Sequence, residues 1–151
     1  MKGRILAIDY GTRRIGLAVS DALGITAQGL PTLERTNLAD ALQQIQQRAE
    51  EYSVQLVLLG NPLSHRGTDT TMSGHVASFA EKLRRRVTCP VELVDERLTS
   101  AEASRVLRES GVSIEKRRGA RDRMAATLLL QSYLDRRANE AERDRAEGTP
   151  S

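Results

Sequence analysis

At 151 residues the chain has the length of one domain, with enough apolar material for a real core. Its net charge of +3 and pI near 9.4 permit a polyanionic partner without requiring one. The lone cysteine, Cys89, excludes an internal disulfide. The opening apolar run, soon interrupted by Asp9, is too short for a signal peptide or a membrane span, so the expected setting is a reducing cytoplasm.

Residues Ile5–Ile8 and Ile15–Val19 are short apolar runs rich in β-branched residues, and they predict the strands of a hairpin. Asp9 closes the first run, where an acid is costly unless it is paired or binds a cation. Gly11 and Gly16 permit a sharp turn and close approach of a backbone or a ligand. Arg13 and Arg14 set two fixed positive charges nearby. The same residues also suit a plain hairpin whose aspartate accepts turn hydrogen bonds. Residues 25–33 predict a third strand, and Gly29 and Pro31 assign it to an edge.

The period then becomes helical. Leu38, Ala41, Leu42, Ile45, Ala49 and Tyr52 mark a first helix, capped by Thr36 or Asn37. Val54–Leu59 is a continuous apolar run ending at Gly60, as expected of a strand buried on both faces. Met72, Val76, Phe79, Ala80, Leu83 and Val87 mark a second helix, and Val91–Val94 a last strand. Cys89, just before that strand, reads as core rather than as a reactive thiol. Thr99 and Glu102 have capping-box spacing for a third helix stopped at Gly111, and a fourth spans residues 120–136. The order βββαβαβαα predicts an α/β fold with a mixed sheet, an antiparallel meander joined to parallel strands. Residues 1–136 form the domain, and 137–151, rich in balanced charge, a frayed helix end followed by disorder.

Acidic residues recur at element ends. Asp9 ends the first strand, Asp95 and Glu96 end the last, and Asp122 falls in the first turn of the last helix. Sites in open α/β sheets form beyond the carboxyl ends of parallel strands. If the first and last strands are parallel, their acids share an edge, and Asp122 joins them through the helical face of Ala125, Ala126, Leu129 and Tyr133. Clustered carboxylates repel unless neutralised, and hard oxygen ligands suit Mg²⁺ or Mn²⁺. Each acid also has an ordinary explanation. Asp122 would complement the helix dipole, and Asp95 or Glu96 would pair with Arg97 or cap the third helix. No His/Cys cluster suits zinc; His65 and His75 read as surface residues.

Lys116, Arg117, Arg118, Arg121 and Arg123 surround Asp122 in sequence. Such a run is either a solvated face or a set of phosphate contacts. Arg84, Arg85 and Arg86 are explained by the end of the second helix. With no Trp, one Phe and three Tyr, a base-stacking surface is not expected, and recognition should rest on backbone charge and shape.

Four segments carry a family resemblance. They are Ile5 to Asp21; Gly60-Asn61-Pro62-Leu63 with Gly67-Thr68; Asp95-Glu96-Arg97-Leu98-Thr99-Ser100; and Arg121-Asp122-Arg123-Met124-Ala125-Ala126 running on to Leu134. In this order they resemble the YqgF family, also called RuvX, of ribonuclease H-like nucleases. The resemblance implies a ribonuclease H-like fold with a five-stranded sheet, and metal-dependent phosphodiester hydrolysis by Asp9, Glu96 and Asp122 as catalytic and metal-binding residues. Mg²⁺ or Mn²⁺ would be the cofactor. The choice of Glu96 over Asp95 also comes from the related nucleases. Arg13, Arg14, Lys116, Arg117, Arg118 and Arg121 are the candidate nucleic-acid contacts.

The implied role is maturation of the 5′ end of pre-16S ribosomal RNA, with Holliday junction resolution the alternative attached to the family. A non-catalytic nucleic-acid-binding assembly factor is a reading of another class, against which the acidic trio argues. A monomer would suit RNA processing, and a homodimer a resolvase. The segment Asp9-Tyr10-Gly11-Thr12 also looks like the phosphate loop of actin-like ATPases and sugar kinases, which need two such domains. Where the family often has leucine at 61 and acidic or amide residues near 65–66, this chain has Asn61, His65 and Arg66, which leaves the substrate role of loop 60–70 open.

Overall fold

The computed structural model describes residues 3–11, 13–61, 70–95 and 114–147. Three strands come first: β1 (Arg4–Tyr10), β2 (Arg14–Ser20) and β3 (Ala27–Glu34). Helix α1 (Leu38–Glu51) leads to β4 (Val54–Asn61), and α2 (Thr70–Arg84) to β5 (Val91–Asp95). Helix α3 (Ile114–Glu147) ends the described chain. The expected helix between Thr99 and Gly111 lies outside the described residues.

One five-stranded sheet has the order β3-β2-β1-β4-β5. The first three strands form the antiparallel meander, while β1, β4 and β5 run parallel. The mixed sheet is thus as expected, and β3 takes the edge that Pro31 requires of it. Strand β1 has one face against each helical layer, so it is apolar without a break from Ile5 to Ile8. Leu6, Ile8 and Tyr10 belong to one core, with Ala41, Leu42 and Ile45 of α1 and Val76, Phe79 and Leu83 of α2. Ile5 and Ala7 belong to the other, with Ala126, Leu129, Leu130 and Leu134 of α3. Ala7, Ala18 and Ala126 are fully buried and let helix and sheet approach closely. Burial of each Leu or Ile contributes about 1.5–3 kcal/mol relative to exposure.

Of the two expected caps, Asn37 is the one used; its Oδ1 accepts from the Asp40 N–H at 3.1 Å. Cys89 is half-buried against the α1/α2 core, and burial pushes its thiol up, as befits a packing residue. His75 is exposed on α2; His65 lies outside the described residues.

The last helix differs most from expectation. It begins at Ile114 rather than near 120, and its backbone continues to Glu147 where fraying after Arg136 was expected. The extension is rich in Ala, Glu and Arg, strong helix formers. Opposite charges recur at helical spacing, as at Arg136 and Glu140. Among the described residues no helix is long and apolar enough to cross a membrane.

Candidate active site

Because β1, β4 and β5 are parallel, their carboxyl ends share one edge, with Tyr10, Asn61 and Asp95 as last residues. Asp9 lies there, one residue before the end of β1. By strand alternation it shares the face of Ile5 and Ala7, the one covered by α3. It is 8% exposed, and among the described residues Asp9 and Ser20 are the buried polar side chains. Ser20 has its partner, since its Oγ accepts the Ile5 N–H at 2.8 Å. Among the described residues no hydrogen bond or ion pair reaches the Asp9 carboxylate. The turn-acceptor explanation of Asp9 therefore finds no support there. A buried carboxylate without partners is costly, and a cation would offset that cost.

The surroundings of Asp9 leave room for one. Across the antiparallel ladder Asp9 pairs with Gly16. On its other side Ile8 pairs with Leu59, which brings Gly60 level with Asp9. Gly60 pairs in turn with Val94 of β5. Neither strand beside Asp9 carries a side chain at its level. Asp95 pairs with Asn61, one residue beyond that level.

Of the other expected ligands, Glu96 lies outside the described residues. Asp122 is in α3, where the structure describes the backbone. The earlier start of α3 puts Asp122 more than two turns inside the helix, not in its first turn. The dipole explanation of Asp122 fails at that depth, because the effect fades within the first turn. Among the described residues no group of three His, Cys, Asp or Glu side chains comes together.

The candidate basic residues divide between two places. Arg13 is exposed in the β1–β2 turn, and Arg14 begins β2. Lys116, Arg117, Arg118 and Arg121 lie in the first two turns or so of α3. A cation at a helix N-terminus opposes the macrodipole, so Lys116 and Arg117 are placed at some cost to the helix.

The turn itself is tightly built. The Gly11 N–H donates to the Arg14 carbonyl at 3.0 Å, and a Cβ at Gly11 would lie 2.6 Å from that oxygen. Arg35, which the sequence reading did not single out, joins this turn from the end of β3. Its Nη1 donates to the Gly11 carbonyl at 3.0 Å, and its guanidinium lies 4.3 Å from the Tyr10 ring centroid. No local pattern announces a contact between residues so far apart in sequence. A cavity of about 180 Å³ lined by Gln46, Glu50, Ser53, Arg86 and Cys89 lies at the opposite edge, where β4 and β5 begin.

Comparisons with known proteins bear on the family and the fold. The family model described as "RuvX: Holliday junction resolvase" matches residues 3–136. A protein of Koribacter versatilis (strain Ellin345) named "Putative pre-16S rRNA nuclease" is 49% identical over 140 residues, covering 93% of this chain and 92% of its own length. One of the same name from Clostridium novyi (strain NT) is 40% identical over 132 residues, covering 87% and 98%. Among solved structures, Thermus thermophilus RuvC in complex with a Holliday junction substrate aligns with a TM-score of 0.54 and 14% identity, over 88% of this chain and 95% of that one. This last likeness is one of fold, and the ribonuclease H-like fold expected from the sequence is the observed one.

Proposed function

This chain belongs to the RuvX family and is a nuclease; from that premise we propose that it trims the 5′ end of pre-16S ribosomal RNA in the cytoplasm, using divalent metal held by Asp9, Glu96 and Asp122. The observation that carries the reading is Asp9 itself, a buried carboxylate without a described partner, set between two glycines at the carboxyl edge of the parallel strands. Such a donor suits a hard cation, Mg²⁺ or Mn²⁺. Bound there, the metal would supply charge stabilisation and an activated water for phosphodiester hydrolysis.

Two further observations support the trio. Val94, not Asp95, is level with Asp9, which favours the acid one residue later in the alternation, Glu96. The course of α3 favours Asp122. Leu134 lies beside Gly24 in the β2–β3 turn, and Gln131 accepts the N–H of Ala27, which pairs with Ser20 and so is level with Ile5 near the start of β1. From that level, Ile5 to Asp9 spans about 13 Å of strand. Gln131 back to Asp122 spans about 14 Å of helix. That match of spans supports placing the two acids at the same edge, from different layers.

Lys116, Arg117, Arg118 and Arg121 would hold the nucleic-acid backbone from the α3 side of this edge, and Arg13 and Arg14 from the turn side. Bound phosphate would repay the charge that Lys116 and Arg117 bring to a helix N-terminus. The second reading, resolution of four-way DNA junctions, is favoured by the family's description and by the RuvC fold. A non-catalytic assembly factor is disfavoured by the buried Asp9, which has no partner among the described residues.

The purified protein with Mn²⁺ should shorten an RNA carrying the 5′ extension of 16S rRNA, and Asp9→Asn should not. A monomer active on that RNA supports processing. A dimer that nicks four-way junctions symmetrically and leaves the RNA intact would replace it with the resolvase reading.

A further inference from the structure

We propose that Arg35 is a positioning residue for Asp9: from just past the end of the edge strand β3 it clamps the Tyr10–Gly11 segment, so that the preceding carboxylate is held ready for metal. The proposal rests on the reading of Asp9 as a metal ligand.

Asp9 has nothing on its own face to hold it among the described residues. Its orientation must therefore come from the backbone that carries it, and that backbone is gripped from the other face. Tyr10, one residue on, is 3% exposed and packs its ring against that of Phe79 of α2, centroids 4.6 Å apart and planes tilted by 43°. The Arg35 guanidinium covers this ring at 4.3 Å, a cation–π contact at a partly desolvated site. The same guanidinium donates to the Gly11 carbonyl at 3.0 Å, while the Gly11 N–H is taken by the Arg14 carbonyl. The Arg35 N–H donates to the Arg13 carbonyl at 2.9 Å, which anchors the arginine's own backbone to the turn it holds. Both polar groups of Gly11 and the ring of Tyr10 are thus fixed by residues outside β1.

The arrangement separates two jobs by sheet face. The α3 face presents the carboxylate, and the α1/α2 face supplies the rigidity. A planar guanidinium can cover the ring and bond the carbonyl together, which a point-charge ammonium does less well. Displacing a metal-site group by about 1 Å is enough to cost roughly 10²-fold in rate. Loss of groups that orient a ligand typically costs about 10–100-fold in metal affinity or activity.

The test is Mn²⁺ binding by titration calorimetry, with nucleic-acid cleavage beside it, on wild type, Arg35→Ala, Arg35→Lys and Asp9→Asn. Arg35→Ala should bind Mn²⁺ about tenfold or more weakly, with the metal concentration for half-maximal cleavage rising in step. Its KM for nucleic acid and the salt dependence of binding should stay within about twofold of wild type, which separates a clamp from a phosphate contact. Arg35→Lys keeps a cation over Tyr10 and should lose less than the alanine variant. If Arg35→Ala melts below the assay temperature, Arg35→Met, which still covers the ring but has neither charge nor donor, carries the same expectation. Wild-type Mn²⁺ affinity in Arg35→Ala or Arg35→Met, or a loss confined to KM and salt slope, overturns the proposal. In those cases Asp9→Asn still loses Mn²⁺ and the metal reading stands. Should Asp9→Asn bind Mn²⁺ as wild type does, the metal reading itself fails and takes this proposal with it.

Discussion

Asp9 and Gly16 are cross-strand partners in the β1–β2 ladder. The strand beside the buried carboxylate therefore carries no side chain at that level. With Gly60 level on the other side, the sheet leaves a bare strip around one acid. A glycine in a strand interior weakens the strand, so two of them flanking one carboxylate indicate that something must come close to it.

Asp9→Asn tests that carboxylate most directly. The amide keeps the shape and removes the charge. Cleavage should fall by at least about 100-fold, because charge stabilisation at the reacting phosphate goes with the ligand. In metal-free buffer the variant should melt above the parent, since a buried charge with no partner among the described residues has been removed. Added Mn²⁺ should raise the melting temperature of the parent and not of the variant. A folded Asp9→Asn protein that cuts at the parental rate would end the metal-nuclease assignment.

Replacing Arg117 and Arg118 by alanine should weaken nucleic-acid binding across all sequences. The slope of log affinity against log salt should drop by about 0.7–0.9 for each lost phosphate contact. Stability should hold or rise, because Arg117 no longer opposes the helix dipole. An unchanged salt slope in filter-binding titrations would make both residues an ordinary solvated face.

Ser20→Ala should cost about 1–3 kcal/mol in urea unfolding, by orphaning the buried Ile5 N–H that its hydroxyl now satisfies at 2.8 Å. Ser20 ends β2 beside the amino-terminal end of β1, away from Asp9, so kcat should change little. A comparable loss of kcat would mean that the two ends of β1 are coupled.

Gly11→Ala should destabilise by about 1–3 kcal/mol through a steric clash, since the added methyl would meet the Arg14 carbonyl at 2.6 Å. Relief of that clash must distort the turn next to Asp9, so Mn²⁺ affinity should fall with stability. Chemical denaturation and calorimetry on one preparation would show whether both drop.

Much of this was legible in the chain. Short apolar runs rich in β-branched residues located the strands, Pro31 announced the edge, and Asn37 was one of two expected caps, because each signal is local. The start of α3 was not legible: Glu115 to Arg118 is a charged run with no apolar periodicity, and Gly119 lowers helix propensity by about 1 kcal/mol relative to alanine. Packing of the apolar face from Ala125 to Leu134 carries the helix through that weak stretch. Asp9 stood out as an acid in an apolar run, but its lack of a described partner appears only when the neighbouring strands are assembled. Arg35 left no trace in the sequence, since its role depends on a strand end meeting a turn across the edge of the sheet.

The edge strand β3 also bears on how this protein behaves at high concentration. Its pairing with β2 shifts between Leu30 and Leu33, so an extra residue bulges out of the ladder around Pro31 and Thr32. Proline offers no N–H to an incoming strand, and a bulge twists the edge away from it. The two devices fall together in the middle of the exposed strand. Chain-to-chain sheet extension, the usual route from an open edge to aggregates, is blocked there. Pro31→Val should therefore leave the fold in place and bring faster precipitation on concentration, read by light scattering.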